Sequence, residues 1–386
     1  MTSPPHIMIV AGEASGDLHG ANFVRRLRAR VPEISVCGMG GVEMAAAGVE
    51  LLVDISNLAV MGLAEVLSHL SEIRSAMRVL HRRLRERPPD LLVLIDYPGF
   101  NLMMAARAKK QQVPVFYYIS PKVWAWGGGR VEKIKRLVDR MAVILPFEEE
   151  FYRERGVAVR FVGNPLLDSV ENRLGREEFL RRHGVEPDCT VIGILPGSRR
   201  MEVASLLPAF LAAAESLAGR RKTVFLVPLA STLSRADLDR NGLAGCQLDY
   251  RVIGTDRYEL MAACDAVMAA SGTVTLELAI LNVPMVVAYR VSWLTYIIGR
   301  LLVKVKHFSL VNLVAGREVV PELLQGDVTP QRLADEVEWL LDAGRASSMR
   351  QQLAEVVNRL GEPGAAGRAV EVALELIDWQ EGESEA

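Results

Sequence analysis

The chain has 386 residues, of which half are hydrophobic and 24% charged, and its formal net charge is −2. This length suits two domains with separate cores, and the composition excludes a largely disordered protein. Its four cysteines form no C-x-x-C pair and have no histidine at metal-ligand spacing. We therefore expect reduced thiols, no metal ion and no cofactor. Because the N-terminus lacks a secretory signal pattern, we expect a cytoplasmic protein.

Short apolar runs alternate with helical patterns along the whole chain. The runs end in loops with Gly, Pro or Ser, and they are HIMIVAG, LLVLID, VPVFYYIS and MAVILP, then TVIGILPG, TVFLVPLA, AVMAAS and VPMVVAY. Strands without polar alternation are typical of parallel sheets that are covered on both faces. The pattern predicts an α/β protein with two Rossmann-like doubly wound domains that face a cleft. We place these domains at residues 1–186 and 187–363, with a helix near 364–380 that can pack back on the first.

The residues that follow the first strand are candidates for a site, because ligands of parallel sheets bind at the carboxyl ends of the strands. In AGEASGDLHGA the glycines lie four apart, unlike the spacing of a dinucleotide fingerprint. Glu13, Ser15 and the start of the next helix can hold hydroxyls or a phosphate. A tight turn capped by Ser15 or Asp17 explains the same residues without a ligand.

LLVLIDYPGFN places Asp96 directly after a buried strand. A carboxylate in this position can act as a general base that takes a proton from a bound hydroxyl. Alternatively, Asp96 caps the next helix or ties down the turn at Pro98 and Gly99. Asn101 can orient a bound molecule or cap a helix.

The stretch from 74 to 136 holds fourteen basic residues against four acidic ones. It includes SPKVWAWGGGR, where Trp124 and Trp126 stand among cations, a combination that suits a membrane interface. An anionic membrane surface is therefore an expected partner, with a solvated helix face and core tryptophans as the alternative. The apolar runs near 59–70 and 291–310 are further candidates for membrane contact, and basic residues interrupt the second run before it reaches spanning length.

In the second half, ILPGSRRMEV reads as a strand, a turn and a helix. Gly197 lets the backbone approach a ligand closely. Arg199 can pair with a diphosphate through two parallel hydrogen bonds, and the adjacent Arg200 can share that role. A surface arginine without a ligand is the alternative.

AVMAASGTVTLELAILNVPMVV places Ser271, Gly272 and Thr273 between a buried strand and a helix. Backbone N–H groups at such a helix start, together with the hydroxyls, form an anion site. Glu277 stands one turn further along the same face, where its carboxylate can accept hydrogen bonds from two ribose hydroxyls. An N-cap followed by a surface glutamate is the alternative. Asn312, in SLVNLVAG, is expected near a strand end and the same site.

Seven motifs in register resemble one family. AGEASGDLHGA, DYPGFN, SPKVWAW, GNPLLD, LPGSR, SGTVTLELA and SLVNLVAGREVVPELLQ follow one another as in the lipid-A-disaccharide synthases, from residue 6 to about 330. The resemblance implies the glycosyltransferase B architecture and an inverting, metal-independent hexosyltransferase. It implies UDP-2,3-diacylglucosamine as donor, 2,3-diacylglucosamine 1-phosphate as acceptor, a β-1,6 bond and release of UDP. WAWGGGR departs from the family pattern, which is usually more basic in this turn.

The same resemblance implies roles for individual residues. Asp96 becomes the base for the acceptor 6-hydroxyl, and Arg199 steadies the diphosphate. The residues expected to hold UDP are Ser271, Gly272, Thr273 and Glu277, and those expected to line the acceptor side are Glu13, Ser15 and Asn101. Because both substrates carry acyl chains, the resemblance implies work at the cytoplasmic face of the inner membrane.

Two other functions share parts of these patterns. UDP-N-acetylglucosamine 2-epimerases and cell-wall glycosyltransferases have the same architecture, and activity that depends on acylated substrates separates them from the first reading. A non-catalytic lipid-binding protein uses the basic and apolar patches alone. A strand-end Asp96 that faces a UDP site argues against it, and UDP binding is the test. Nucleic acid is not an expected partner, because the acidic second half does not continue the basic stretch.

Overall fold

The computed structural model describes residues 5–55, 70–126, 129–291, 296 and 306–377. The chain divides into two compact units, Met1–Pro165 with Gly361–Ala386, and Leu166–Leu360. Each unit is built on a parallel sheet. The predicted fold class, two doubly wound α/β domains, is therefore confirmed.

A seven-stranded parallel sheet forms the centre of the first unit. Its strands are β1 (His6–Ala11), β2 (Ser35–Gly40), β3 (Glu50–Asp54), β4 (Leu91–Ile95), β5 (Val115–Tyr118), β6 (Arg140–Val143) and β7 (Val159–Phe161). Their spatial order is β3-β2-β1-β4-β5-β6-β7. Every residue of β1, β4 and β5 is buried, which explains why these strands read as unbroken apolar runs. The order reverses between β1 and β4, the point at which such sheets bind ligands.

Helices cover both faces of this sheet. They are α1 (Ala14–Arg30), α2 (Val42–Ala46), α3 (Leu70–Glu86), α4 (Pro98–Lys110), α5 (Val123–Trp126), α6 (Gly129–Leu137) and α7 (Pro146–Arg153). One apolar core, which includes Leu80 and Tyr117, lies under α3, α4 and α6. The other, which includes Phe23 and Tyr118, lies under α1. Consecutive residues of β5 pack in opposite cores because side chains alternate between the two faces along a strand.

The second unit has a six-stranded parallel sheet. Its strands are β8 (Thr190–Leu195), β9 (Thr223–Pro228), β10 (Tyr250–Ile253), β11 (Ala266–Ala270), β12 (Met285–Tyr289) and β13 (Glu322–Leu324). Their order is β10-β9-β8-β11-β12-β13, so the reversal falls between β8 and β11. The helices described in this unit are α8 (Leu166–Ser169), α9 (Arg176–Arg182), α10 (Arg200–Ala218), α11 (Arg235–Asp239), α12 (Arg257–Ala262), α13 (Val274–Ile280), α14 (Leu310–Ala315), α15 (Pro330–Leu340) and α16 (Ala343–Arg359).

The boundary between the units lies after Pro165, about twenty residues before the predicted position at 186. The polar stretch at 171–189 belongs to the second unit. Arg176 of α9 forms an ion pair with Asp265 at 2.8 Å, and Asp265 also accepts a hydrogen bond from the N–H of Val191 in β8. These charged residues therefore attach the segment to the second sheet.

A last helix, α17 (Ala365–Leu374), returns to the first unit and packs on α1. Arg368 donates a hydrogen bond from Nε to the Val162 carbonyl at 2.9 Å, and Glu375 pairs with Arg160 at 2.7 Å. The first unit is therefore completed by both ends of the chain.

One helix in the described part of the chain, α10, is long and apolar enough to cross a membrane. Half of its apolar 18-residue stretch is buried, and Leu207, Phe210 and Ala214 have no exposed surface. The helix packs against α15. We therefore assign α10 to the core of the second unit.

Candidate functional site

The chain leaves β4 through two residues with an unusual backbone. Ala11 pairs with Ile95 at the carboxyl ends of β1 and β4, which brings the turns after the two strands together. Asp96 and Tyr97 both have a φ of 44°, in the left-handed region. This conformation costs free energy in residues other than glycine, and it is concentrated at functional sites. The candidate base thus stands at a strained turn at the switch point of the sheet.

Two buried polar side chains hold this turn by its carbonyl groups. Asn101 donates from Nδ2 to the carbonyls of Ile95 at 3.0 Å and Asp96 at 2.7 Å. The Tyr117 hydroxyl donates to the same Asp96 carbonyl. Neither side chain has exposed surface. Asn101 therefore holds the Asp96 turn through its backbone, whereas the family resemblance implied that it lines the acceptor side.

The turn after β1 fits closely against this strained segment. A Cβ atom on Gly12 would lie 2.2 Å from the ring of Tyr97, so the position requires glycine. Glu13 and Ser15 follow and are exposed. Asp17 is buried and accepts hydrogen bonds from the N–H groups of Gly41, Glu43 and Met44 at 2.7, 3.0 and 3.1 Å. Asp17 therefore caps α2 rather than the turn, and Glu13 and Ser15 stay accessible.

The environment of Asp96 favours a base that works near neutral pH. Burial raises its pKa to about 6, and the negative charge of Glu13 acts in the same direction. The positive charge of Lys122 and the N–H of Tyr97 act in the opposite direction. Tyr97, not Asp96, occupies the N-cap position of α4. The geometry thus supports the interpretation of Asp96 as a base over its interpretation as a helix cap.

The structure also reveals a buried carboxyl group that sequence analysis missed, Glu148 of α7. It accepts hydrogen bonds from the Ser120 hydroxyl at 2.7 Å, the Trp124 indole N–H at 3.0 Å and the Leu145 N–H at 3.1 Å. Its pKa is raised to about 7 by burial, which these donors oppose. In the sequence it lies within Glu148–Glu150, which resembles a solvated run. The one available signal was its place three residues after the N-cap residue of α7, Leu145.

Trp124 is tied to the protein rather than presented to a membrane. Besides its bond to Glu148, its ring packs edge-on against Phe147 with centroids 5.0 Å apart. Trp124 therefore packs internally, which is the alternative interpretation given for it, and does not form the expected membrane contact. The side chain of Trp126 and most of the runs near 59–70 and 291–310 lie outside the described residues.

In the second unit, the turn after β8 is closed by Glu202. Gly197 has a φ of 109°, and a Cβ atom there would lie 2.4 Å from a carboxylate oxygen of Glu202. That carboxylate accepts from the N–H groups of Ser198 at 3.0 Å and Arg199 at 3.2 Å, and it pairs with the Arg199 guanidinium at 2.8 Å. The Arg199 side chain is 80% exposed, so this ion pair is weak and the guanidinium can exchange it for an anion. Arg200 instead contacts Asp237 at 3.2 Å.

The turn after β11, at the other side of the switch point, contains the residues that are predicted to form an anion site. Thr273 is the exposed N-cap residue of α13, and the Ser271 hydroxyl donates to the Phe308 carbonyl at 3.0 Å. Glu277 lies one turn further on and is 5% exposed. Burial raises its pKa, whereas its ion pair with Arg257 lowers it. Glu277 is therefore a buried carboxylate with an exposed partner, not the surface glutamate of the alternative reading.

Asn312 has a structural role instead of the predicted contact with a ligand. Its Nδ2 donates to the Val320 carbonyl and to Glu322, both at 2.9 Å. Its Oδ1 accepts from the N–H groups of Val319 at 2.7 Å and Val320 at 3.0 Å. The side chain is fully buried, and these four bonds use its hydrogen-bonding capacity. Asn312 therefore fixes the segment that supplies the Phe308 carbonyl to Ser271.

Within the described residues, one group has the composition and spacing of a metal site, namely Glu186, Asp188 and Cys189. Lys222 contacts both carboxylates, which neutralises the charge that a cation would need. The group precedes β8, at the amino edge of the sheet. It is therefore remote from the strand ends that carry Arg199 and Ser271.

Comparison with known proteins separates relatives by sequence from relatives by fold. The family model described as Lipid-A-disaccharide synthetase matches residues 7–375. The lipid-A-disaccharide synthase of Geobacter sulfurreducens is 48% identical over 376 residues, 97% of this chain and 98% of that protein. That of Myxococcus xanthus is 48% identical over 380 residues, 98% of this chain and 99% of that protein.

Solved structures share the architecture at much lower identity. MurG of Acinetobacter baumannii has a TM-score of 0.61 and 15% identity, over 96% of this chain and 100% of that chain. The UDP-GlcNAc 2-epimerase of Neisseria meningitidis, bound to UDP-GlcNAc, has a TM-score of 0.61 and 13% identity, over 96% of this chain and 98% of that chain. These two likenesses establish the fold alone. Because the family model and the sequence relatives cover nearly the whole chain, the chain belongs to the lipid-A-disaccharide synthetase family.

Proposed function

We propose that the protein joins UDP-2,3-diacylglucosamine to 2,3-diacylglucosamine 1-phosphate through a β-1,6 bond and releases UDP. Membership of the family supports a hexosyltransferase with a UDP-sugar donor and a phosphosugar acceptor. The observation that carries the catalytic part is the strained Asp96 turn, where burial raises the pKa of the carboxyl to about 6. Family membership, and not the fold, separates this function from that of an epimerase.

In the first unit, Asp96 removes the proton of the acceptor 6-hydroxyl. The hydroxyl oxygen then forms a bond to the anomeric carbon of the donor as the bond from that carbon to the diphosphate breaks. A single displacement of this kind inverts the anomeric configuration and needs one base. The exposed side chains of Glu13 and Ser15 are the acceptor-side contacts that we propose.

In the second unit, Arg199 and the Ser271–Thr273 turn hold the diphosphate, and Glu277 holds the ribose. Arg199 compensates the negative charge that develops on the leaving UDP, which is the contribution a guanidinium at this place can make to the rate. Its exposure supports this role, because it exchanges only a weak contact with Glu202 for the diphosphate.

The decisive experiment supplies both acylated sugars in detergent with EDTA present. We expect UDP and the disaccharide to appear in equal amounts and at a rate that EDTA does not change. The control reaction offers UDP-N-acetylglucosamine alone, and epimerisation of that sugar would support the rival enzyme. Binding of UDP without transfer between the acylated sugars would contradict the proposed substrates.

We further propose that the protein is cytoplasmic and works as a peripheral protein on the anionic inner face of the inner membrane. A surface cavity of about 350 Å³ lies between α3 and α4, and it is lined by Ile73, Met77 and Met103 together with Arg74, Arg78 and Arg107. A second cavity continues along α4 to Lys110. An apolar floor with a cationic rim suits an anionic amphiphile, because acyl groups and headgroups both find partners.

Arg78→Glu is expected to weaken binding to vesicles that contain anionic lipid by roughly thirtyfold at low salt. The substitution changes the charge by two units, and each unit of charge near such a surface contributes about 1 kcal/mol. Binding is measured by vesicle sedimentation, with and without anionic lipid. Arg26→Glu is the matched control, because Arg26 is an exposed arginine on α1. Equal losses in the two variants would show that total charge, and not the surface of α3 and α4, governs binding.

A further inference from the structure

The reaction above leaves the buried carboxyl of Glu148 without a role. Its side chain, 2% exposed, lies behind the turn at residues 119–124, which we call the β5 turn. Two of its three donors, the Ser120 hydroxyl and the Trp124 indole N–H, belong to that turn and share one oxygen, Oε1. The other oxygen accepts from the N–H of Leu145, at the start of α7. Glu148 thus joins the β5 turn to α7.

Other contacts fix the β5 turn along its length. Ile119, with a φ of 64°, donates its N–H to the Ala142 carbonyl at 3.0 Å. The Tyr152 hydroxyl donates to the Pro121 carbonyl at 3.1 Å. Val123 is 3% exposed. Lys122 lies between these anchored residues and is exposed, so its backbone is held on both sides.

That cation acts on the candidate base. The N–H of Asp96 donates to the Tyr118 carbonyl at 3.3 Å, so the β5 turn begins beside the Asp96 turn. The positive charge of Lys122 lowers the pKa of Asp96, against the effects of burial and Glu13. The influence of a flexible lysine on a nearby carboxylate weakens when its backbone is not held, because its ammonium group then samples more distant positions.

We propose that Glu148 is a positioning residue that holds the β5 turn through Ser120 and Trp124, and with it the Lys122 backbone next to the Asp96 turn, so that the ammonium charge acts on the Asp96 carboxylate. This inference rests on the proposed role of Asp96 as the base. It adds residues behind the Asp96 turn that set the pH range in which the base works.

The test compares the pH dependence of kcat/KM in Glu148→Gln, Lys122→Ala and the double variant. The plot of kcat/KM against pH has a limb that rises with pH as the base ionises. We expect this limb to move to higher pH in both single variants, because Asp96 loses the cation that favours its ionised form. We expect kcat to fall roughly tenfold to a hundredfold in Glu148→Gln. In the double variant the limb should lie where Lys122→Ala places it, since both changes remove one interaction.

Two further variants keep the test decisive. Trp124→Phe removes one donor to Glu148 but keeps a ring against Phe147, so it should move the limb in the same direction even where Glu148→Gln folds poorly. Glu150→Gln changes an exposed carboxylate of the same helix and should leave the profile unchanged. A folded Glu148→Gln or Trp124→Phe with the wild-type limb would overturn the inference. An active Asp96→Asn would instead overturn the proposed function on which it rests.

Discussion

Asp96→Asn is expected to lower kcat by roughly a thousandfold, the usual scale for loss of a general base, while UDP still binds. Asparagine has nearly the size of aspartate and adopts the left-handed backbone readily, so the turn at φ 44° should persist. The Asn101 and Tyr117 bonds reach the backbone carbonyl of residue 96 and do not involve its side chain. The loss would therefore report the missing carboxylate and not a changed fold.

The same substitution is expected to stabilise the protein at pH 7.5 by about 1–3 kcal/mol. The pKa of Asp96 is raised from 3.8 to about 6 in the folded state, so the folded state binds the proton more tightly than the unfolded state. Stability contributed by this group is thus present below pH 4 and is lost as pH rises through 6. The amide of asparagine never carries that buried charge, so the advantage of the variant should vanish near pH 4.

Both effects are measured with Glu33→Gln as the control. Glu33 is an exposed carboxylate in the turn before β2, and its substitution should change neither kcat nor stability. Thermal unfolding at pH 4 and 7.5 gives the stability difference, and assay of transfer at pH 7.5 gives kcat. An Asp96→Asn protein that is less stable than wild type at pH 7.5 would show that the carboxylate is held by favourable contacts rather than destabilised by burial.

The strand ends could be predicted from sequence because a buried parallel strand has an unmistakable apolar run. The residues of the turn that follows the run are then the candidates for a site. Asp96, Arg199 and Ser271 all follow from this rule. The rule cannot separate a side chain that meets a ligand from one that turns back to the backbone. Asn101 and Asn312 illustrate the difference, since both carry polar amides at the expected places and both bind main-chain groups.

Other features depend on distances between segments that are far apart in the chain. Glu148 stands in a run of three glutamates, and its burial follows only from the approach of Ser120, 28 residues earlier. The domain boundary has the same origin, because Arg176 finds Asp265 only in the folded second unit. Sequence patterns reflect the average solvent exposure of a segment. One ion pair or capping hydrogen bond can bury a residue that this average places in solvent.

Glu277→Ala is expected to weaken UDP binding by roughly a hundredfold or more, because the two hydrogen bonds from ribose hydroxyls to a charged acceptor contribute about 1.5–3 kcal/mol each. The carboxylate is 5% exposed and is paired with Arg257, whose own side chain is 54% exposed. Removal of the carboxylate therefore leaves the arginine in solvent and not as an unpaired buried charge, so the fold should tolerate the change. The dissociation constant is measured by calorimetry, with Glu215→Ala, a change of an exposed glutamate on α10, as the control.

A second ligand distinguishes a contact with the ribose from a general loss of the site. Wild type should bind 2′-deoxy-UDP about tenfold or more weakly than UDP, since one hydroxyl no longer meets the carboxylate. Glu277→Ala should bind the two nucleotides with nearly equal affinity, because the interaction is already absent, and the difference between the two ratios measures the coupling directly. If the variant lost the same factor for both nucleotides, Glu277 would act on the diphosphate turn through α13. The Ser271–Thr273 turn would then depend on the Glu277–Arg257 ion pair, and Arg257→Ala should reproduce the loss.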